Sequence, residues 1–266
     1  MLANILFSWA PLSDVFVWFQ GQDHQERIQL VRDEDTGEYL NYRQLIKNSK
    51  HAKIWLTSAA NEFGRLAQGV GGRIEGTDTI KFIHKHEVPK NKTDTYARFC
   101  CNVRPQKAEP NRTRMTVGGN LIHYPGELTT RTADLTTSKI LWNSVVSTED
   151  AKYMCIDIKK FYLGTPLEQY EYMAIPLHLF PQHTIDQYNL RTHAKDGKVY
   201  VEIRKAIYGL PQAGILANKL LRERLHPHGY YKVPHTPGLW KHIARPISFT
   251  LVVDDFGIKY VGKEHV

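Results

Sequence analysis

Toward the end of the sequence two apolar runs, residues 247–253 (ISFTLVV) and 256–261 (FGIKYV), are separated only by Asp254 and Asp255. Both runs are rich in β-branched and aromatic residues, and two intervening residues leave room only to reverse the chain, so the pattern predicts a β-hairpin. Asp-Asp is a poorer turn sequence than Asn-Gly or Asp-Gly, so turn propensity alone does not select it. Adjacent carboxylates repel, more so beside apolar strands, and a divalent cation on their oxygens removes that penalty. Magnesium is the natural candidate.

A third carboxylate joins this pair by a separate route. In residues 152–158 (KYMCIDI), Tyr153, Cys155 and Asp157 alternate with Met154, Ile156 and Ile158, the period of a strand, which predicts a core strand delivering Asp157 at its end. A buried, unpaired Asp is costly, so Asp157 needs a partner, a cation or solvent. It lies 254 − 157 = 97 residues before Asp254. If the two strands are neighbours in one sheet, Asp157 and Asp254 converge where two hard cations could be held, with Asp255 beside them.

Composition narrows the chemistry. The 266 residues carry 35 Lys and Arg against 27 Asp and Glu, a net +8, which favours a polyanionic partner. Three cysteines, Cys100, Cys101 and Cys155, with no CxxC pair, supply neither a disulfide framework nor half of a zinc site, and suit a reducing compartment. From the residues alone, the leading reading is a metal-dependent nucleic-acid polymerase or nuclease, with a noncatalytic nucleic-acid-binding module as the alternative.

The rest of the chain frames these residues. Residues 1–21 are apolar but lack a basic leader and are interrupted by Pro11, Ser13 and Asp14, so they read as a segment packed on the protein rather than a signal peptide or membrane span. Trp55, Ala59, Phe63 and Leu66 recur at helical spacing and predict an inward-packed helix. The glycines of QGVGGRIEG follow that helix, whereas a dinucleotide loop needs a preceding strand. Residues 81–114 are rich in positive charge, and TYARFCCNV within them predicts a strand between basic turns. His84 and His86 have the spacing of one strand face, without a third ligand to complete a metal site. Residues 138–145 begin a helix. Val199, Val201 and Ile203 alternate as a strand, Gly209-Leu210-Pro211 breaks it, and Gln212 stands at the exposed start of a helix running to Leu225.

The ordered blocks Arg112-Thr113-Arg114 with MTVGG, CIDIKKFYLGTPLEQYEYMAIP, VEIRKAIYGLPQAG and FTLVVDDFGIKY resemble the reverse transcriptase of copia-type long-terminal-repeat retrotransposons. The resemblance runs from about Trp55 to Val266. It implies an α+β right-hand polymerase, with fingers and a partial palm over residues 51–266, an antiparallel palm sheet packed on helices, and a partly irregular connecting region over residues 1–50. It implies RNA-directed DNA polymerase activity, in which Asp157, Asp254 and Asp255 hold two magnesium ions, or manganese in their place. Arg112 and Arg114 would contact the triphosphate, Tyr162 would crowd a ribose 2′-hydroxyl, and Gln212 would lie along the nucleotide's sugar. The implied partners are an RNA template, a DNA primer, deoxynucleotides and the remaining Pol polyprotein, including thumb, ribonuclease H and integrase. The setting would be a cytoplasmic virus-like particle, with a nuclear stage for the parent element and no membrane.

Two departures bear on that expectation. Val252 replaces the family's usual Tyr before Val-Asp-Asp, and about eleven residues follow Asp255, where the family continues into a thumb. The sequence therefore reads as an incomplete fingers and palm unit. The alternative is a degenerate, noncatalytic nucleic-acid-binding remnant.

Overall fold

The computed structural model describes residues 30–265; the apolar stretch at residues 1–21, expected to pack on the protein, lies outside the described residues. The class is α+β. Two short strands, β1 (Val31–Arg32) and β2 (Tyr39–Leu40), pair around a turn in which the Asp33 carboxylate accepts from the Asp35 N–H at 2.9 Å. Asn41 then caps α1 (Tyr42–Leu45), exchanging hydrogen bonds with Gln44. Val31, Leu40, Tyr42 and Leu45 enter the main core, where the Tyr42 ring stacks on Phe99 and its hydroxyl donates to the Leu179 carbonyl at 2.9 Å. Of residues 31–50, Val31, Leu40, Tyr42 and Leu45 thus belong to the main core.

Helix α2 (Ala52–Leu66) buries Trp55, Ala59, Phe63 and Leu66 on one face, as their spacing predicts. That face closes over a mixed five-stranded sheet of β3 (Ile80–Ile83), β4 (Asp94–Val103), β5 (Asn111–Val117), β7 (Pro166–Pro176) and β8 (Lys198–Lys205). The spatial order is β3-β8-β7-β4-β5, with only the β4–β7 pair parallel. Strand β8 is buried on both faces: Val199, Val201 and Ile203 point into the main core, and Tyr200 packs with Ile83, Tyr172 and Ala174 behind it. A doubly covered strand reads as a nearly continuous apolar run, as VYVEI does.

The second sheet is antiparallel throughout, in the order β6 (Ala151–Asp157), β12 (Asp255–Val261), β11 (Ile247–Val252), β10 (Leu239–His242) and β9 (Tyr230–Lys232). Its β6 comes, in chain order, between β5 and β7 of the first sheet. Helix α3 (Leu135–Val146) covers one face, with Trp142 edge-on to Tyr153 at 4.6 Å and Lys259 donating to the Ser144 carbonyl at 2.8 Å. Gly257 leaves room beneath that helix for the Tyr153 hydroxyl, which a Cβ there would displace. The opposite face packs Phe249, Leu251 and Phe256 with Trp240 and with Leu221 of α6 (Ala213–Leu225).

Three expectations are corrected. The strand ending in Asp157 is the sheet's edge rather than its core: among the described residues no strand pairs with its outer side, and Ile156 is 43% exposed. His84 and His86 do not share a strand face: β3 ends at Ile83 and the chain tightens into a 3₁₀ turn over Lys85–Glu87, where the His84 N–H donates to Glu87 at 2.6 Å. Their rings stack instead, and His193, from the short helix α5 (Leu190–His193) that follows α4 (Gln182–Gln187), stacks on His84 at 4.6 Å. Gln212, expected at an exposed helix start, is buried. Among the described residues, no helix is long and apolar enough to cross a membrane.

Candidate functional site

The antiparallel register of β6 and β12 sets Asp157 directly opposite Asp255, with Ile156 opposite Phe256. Just past the strand ends, the Ile158 N–H donates to the Asp254 carbonyl at 3.1 Å, tying the hairpin tip to the chain leaving Asp157. Residues 97 apart in sequence thereby share one end of one sheet. The hairpin differs from expectation by one position. Val252 pairs with Asp255, so the two-residue loop is Val253-Asp254 rather than Asp254-Asp255.

Val253 adopts φ +59°, the left-handed region, which a β-branched side chain disfavours. Its place is the first central residue of a two-residue hairpin loop, where a primed turn normally takes Gly. Strain of this kind, on the order of 1–3 kcal/mol, persists where the flanking strands over-determine the loop. Here the six paired positions of β11 and β12 do so.

Burial pushes the Asp254 carboxyl above its ordinary value, and the Asp157 charge adds to the effect; Arg114 pulls the other way without cancelling it. Asp255 is raised as well, by burial first and then by Asp254 and Asp157. Among the described residues, none of the three carboxylates has a Lys, Arg or His within ion-pair distance. The site therefore holds uncompensated negative charge on hard oxygen donors, which suits magnesium. Among the described residues no three His, Cys, Asp or Glu side chains converge into a cage. Magnesium sites on phosphate substrates are commonly built from only one or two carboxylates, with water and phosphate oxygens completing the shell.

Asp157 and Asp254 line a cleft of about 670 Å³ together with Arg112, Arg114 and Tyr162. Tyr162 begins a 3₁₀ turn (Tyr162–Gly164) entered through Lys160 at φ +61°, and packs edge-on against Tyr208 at 5.2 Å. The Arg114 guanidinium lies 5.4 Å from the centre of the Tyr208 ring. Burial raises the Tyr162 hydroxyl's pKa, with Asp254 contributing, so it stays protonated near neutral pH. Arg114 is exposed on this wall, whereas Arg112 is already engaged. Its fork is held by Glu62 at 3.1 Å and by Glu109, and Arg65 bridges the same two carboxylates at 2.7 and 3.0 Å. Burial pushes Glu109 up, but the charges of Arg65 and Arg112 outweigh it and hold its carboxyl low.

Two of the sequence-derived residues stand apart from this cleft. Asp255 is beside it in the strand pair but not on its wall. Gln212 lines a separate recess of about 360 Å³, where its Nε2 donates to Glu171 at 3.4 Å and its Oε1 is buried without a partner. Lys92 reaches the other Glu171 oxygen at 3.2 Å. Tyr208, Glu62 and Glu109 were not anticipated. Tyr208 falls within the AIYGLPQ block, and Glu62 one position before Phe63 on the packed helix, so only the third dimension distinguishes them from ordinary core or surface residues. No family model matches the chain, and no curated protein matches it.

Proposed function

We propose that the chain carries the fingers and palm of an RNA-directed DNA polymerase of the copia type, transferring a nucleotide from a deoxynucleoside triphosphate to a primer 3′-hydroxyl. The observation that carries the reading is the β6–β12 register, which brings Asp157 to the Asp254-Asp255 hairpin at the mouth of a cleft lined by arginine. Asp157 and Asp254 would hold the metal, and Asp255 would support them from the paired strand. Magnesium or manganese, when bound, supplies positive charge that eases loss of the 3′-hydroxyl proton and offsets charge on the departing pyrophosphate. The exposed Arg114 fork fits triphosphate oxygens, and its contact with Tyr208 limits where it can point. Arg112, held by two carboxylates, is better suited to fixing the hairpin that presents Arg114. Tyr162 lines the same cleft as Asp254, where its ring would crowd a 2′-hydroxyl. RNA template, DNA primer and the thumb, ribonuclease H and integrase of a Pol polyprotein are the partners in this reading, within a cytoplasmic virus-like particle.

Primer extension on an RNA template with magnesium and deoxynucleotides tests it; absence of extension would sink the proposal. One alternative has its own support. Arg112 is committed to Glu62 and Glu109, and Val252 puts an aliphatic side chain where the family has an aromatic one, features that suit a noncatalytic nucleic-acid-binding remnant. That reading expects salt-dependent duplex binding without extension.

A further inference from the structure

Along the middle of α6 lies another recess, of about 700 Å³ and sharing no residue with the cleft of the carboxylates. That volume falls within the roughly 300–1,000 Å³ usual for ligand pockets. Its walls carry Arg131, Lys219, Arg222 and Lys232, with Glu127 as their only acid. Among the described residues, none of the four cations has a carboxylate within ion-pair distance. Lys232 donates to Asn218 at 2.6 Å and lies 5.3 Å from the centre of the Trp240 ring. Burial pushes its ammonium pKa down and Arg222 pushes the same way, so positive charge here is crowded rather than balanced. The Thr130 hydroxyl on the same wall is buried without a partner.

The recess is built into the fold rather than left by mobile side chains. Gly238, at φ +73°, has no room for a side chain because the Ala133 backbone crosses against it. The Ala133 N–H donates to the Leu251 carbonyl at 3.0 Å, and the Leu251 N–H to the Gly238 carbonyl at 2.8 Å. The wall carrying Thr130 and Arg131 is thereby pinned to β11, the strand that leads to Asp254.

We infer that this recess binds the phosphodiester backbone of one nucleic-acid strand, through Arg131, Lys219, Arg222 and Lys232, at a site distinct from the carboxylate cleft. Four cations from three separate segments, with little opposing charge, suit a run of phosphates better than one small anion. The ligand's class rests on the polymerase reading; the charge and architecture do not.

The test is fluorescence anisotropy of a labelled oligothymidylate titrated with the 266-residue chain at several salt concentrations, without magnesium or nucleotide. The Lys219→Gln/Arg222→Gln double variant should lower the slope of log K against log salt by about 1.4, at roughly 0.7 for each single-strand phosphate no longer neutralised. Lys53→Gln, which removes like charge from α2, should leave the slope unchanged. Equal slopes for wild type and double variant, with folding verified by circular dichroism, would overturn the inference. Displacement of the strand by tripolyphosphate at matched phosphate concentration would assign the recess to free polyphosphate and overturn it also. Failed primer extension with the slope difference intact removes only the polymerase reading, whereas extension without a slope difference removes only the recess.

Discussion

Asp254 and Asp255 work against the fold that places them. Their pKa values are raised in the folded chain, so the stability they contribute is fully present below the ordinary carboxylate value near 3.9 and is lost as pH rises through the raised values. Without metal, the melting temperature of wild type should therefore lose this contribution as pH rises above the ordinary carboxylate range. Asp254→Asn should flatten that part of the profile and abolish extension while the protein stays folded. Magnesium at neutral pH should raise the melting temperature of wild type but not of Asp157→Asn/Asp254→Asn; an equal rise in both would remove the metal site from these residues. In the polymerase reading, Tyr162→Ala removes a ring from the cleft that Asp254 also lines and should admit ribonucleotides more readily, read as the ratio of ribo- to deoxynucleotide incorporation. Unchanged discrimination would rule out the gate role. Val253→Gly relieves a left-handed β-branched residue and should stabilise the chain to urea by about 1 kcal/mol.

At the level of elements, the most consequential contact is α2 against β5. Among the described residues no strand pairs with the outer side of β5, and α2 side chains meet part of that row of backbone groups. The Ser58 hydroxyl accepts from the Thr113 N–H at 2.6 Å and donates to the Asn111 carbonyl at 2.9 Å, and Glu62 accepts from the Met115 N–H at 3.2 Å. Ser58→Ala leaves buried backbone groups unsatisfied and should cost roughly 1–3 kcal/mol in urea denaturation. Because the same strand carries Arg112 and Arg114, the variant should also weaken triphosphate binding in the polymerase reading. Helical periodicity revealed α2, and strand alternation revealed β6 and β8, since both patterns reflect which side chains face apolar surroundings. His84 and His86 misled because identical i, i+2 spacing arises in a strand and in a turn whose rings stack. The edge placement of β6 was invisible for a related reason: alternation reports a half-buried strand without reporting whether a neighbour lies beyond it.

Across the whole molecule, the carboxylates were legible and much of their surroundings was not. Asp157, Asp254 and Asp255 stood out because charge at the ends of apolar strands is costly without a purpose. Gln212 was misplaced because a polar residue at a helix start is ordinarily solvated, whereas here the residues 123–126 segment and Glu171 enclose it. The Glu62–Arg65–Glu109–Arg112 network depends on α2 meeting the β4–β5 hairpin, a tertiary fact that no local spacing encodes. The placement of β6 between β5 and β7 in chain order has a kinetic meaning. Neither sheet is a continuous stretch of sequence, and the pair Asp157 and Asp255 closes a loop of 255 − 157 = 98 residues. The entropy cost of closing a loop that long comes before its contacts return anything, so such pairings form late. On a ribosome, β6 must wait, edge exposed, until β12 has emerged. In refolding, the magnesium-responsive state should appear no earlier than the slowest tryptophan fluorescence phase, leaving a window in which the β12-facing side of β6 is also open to other chains.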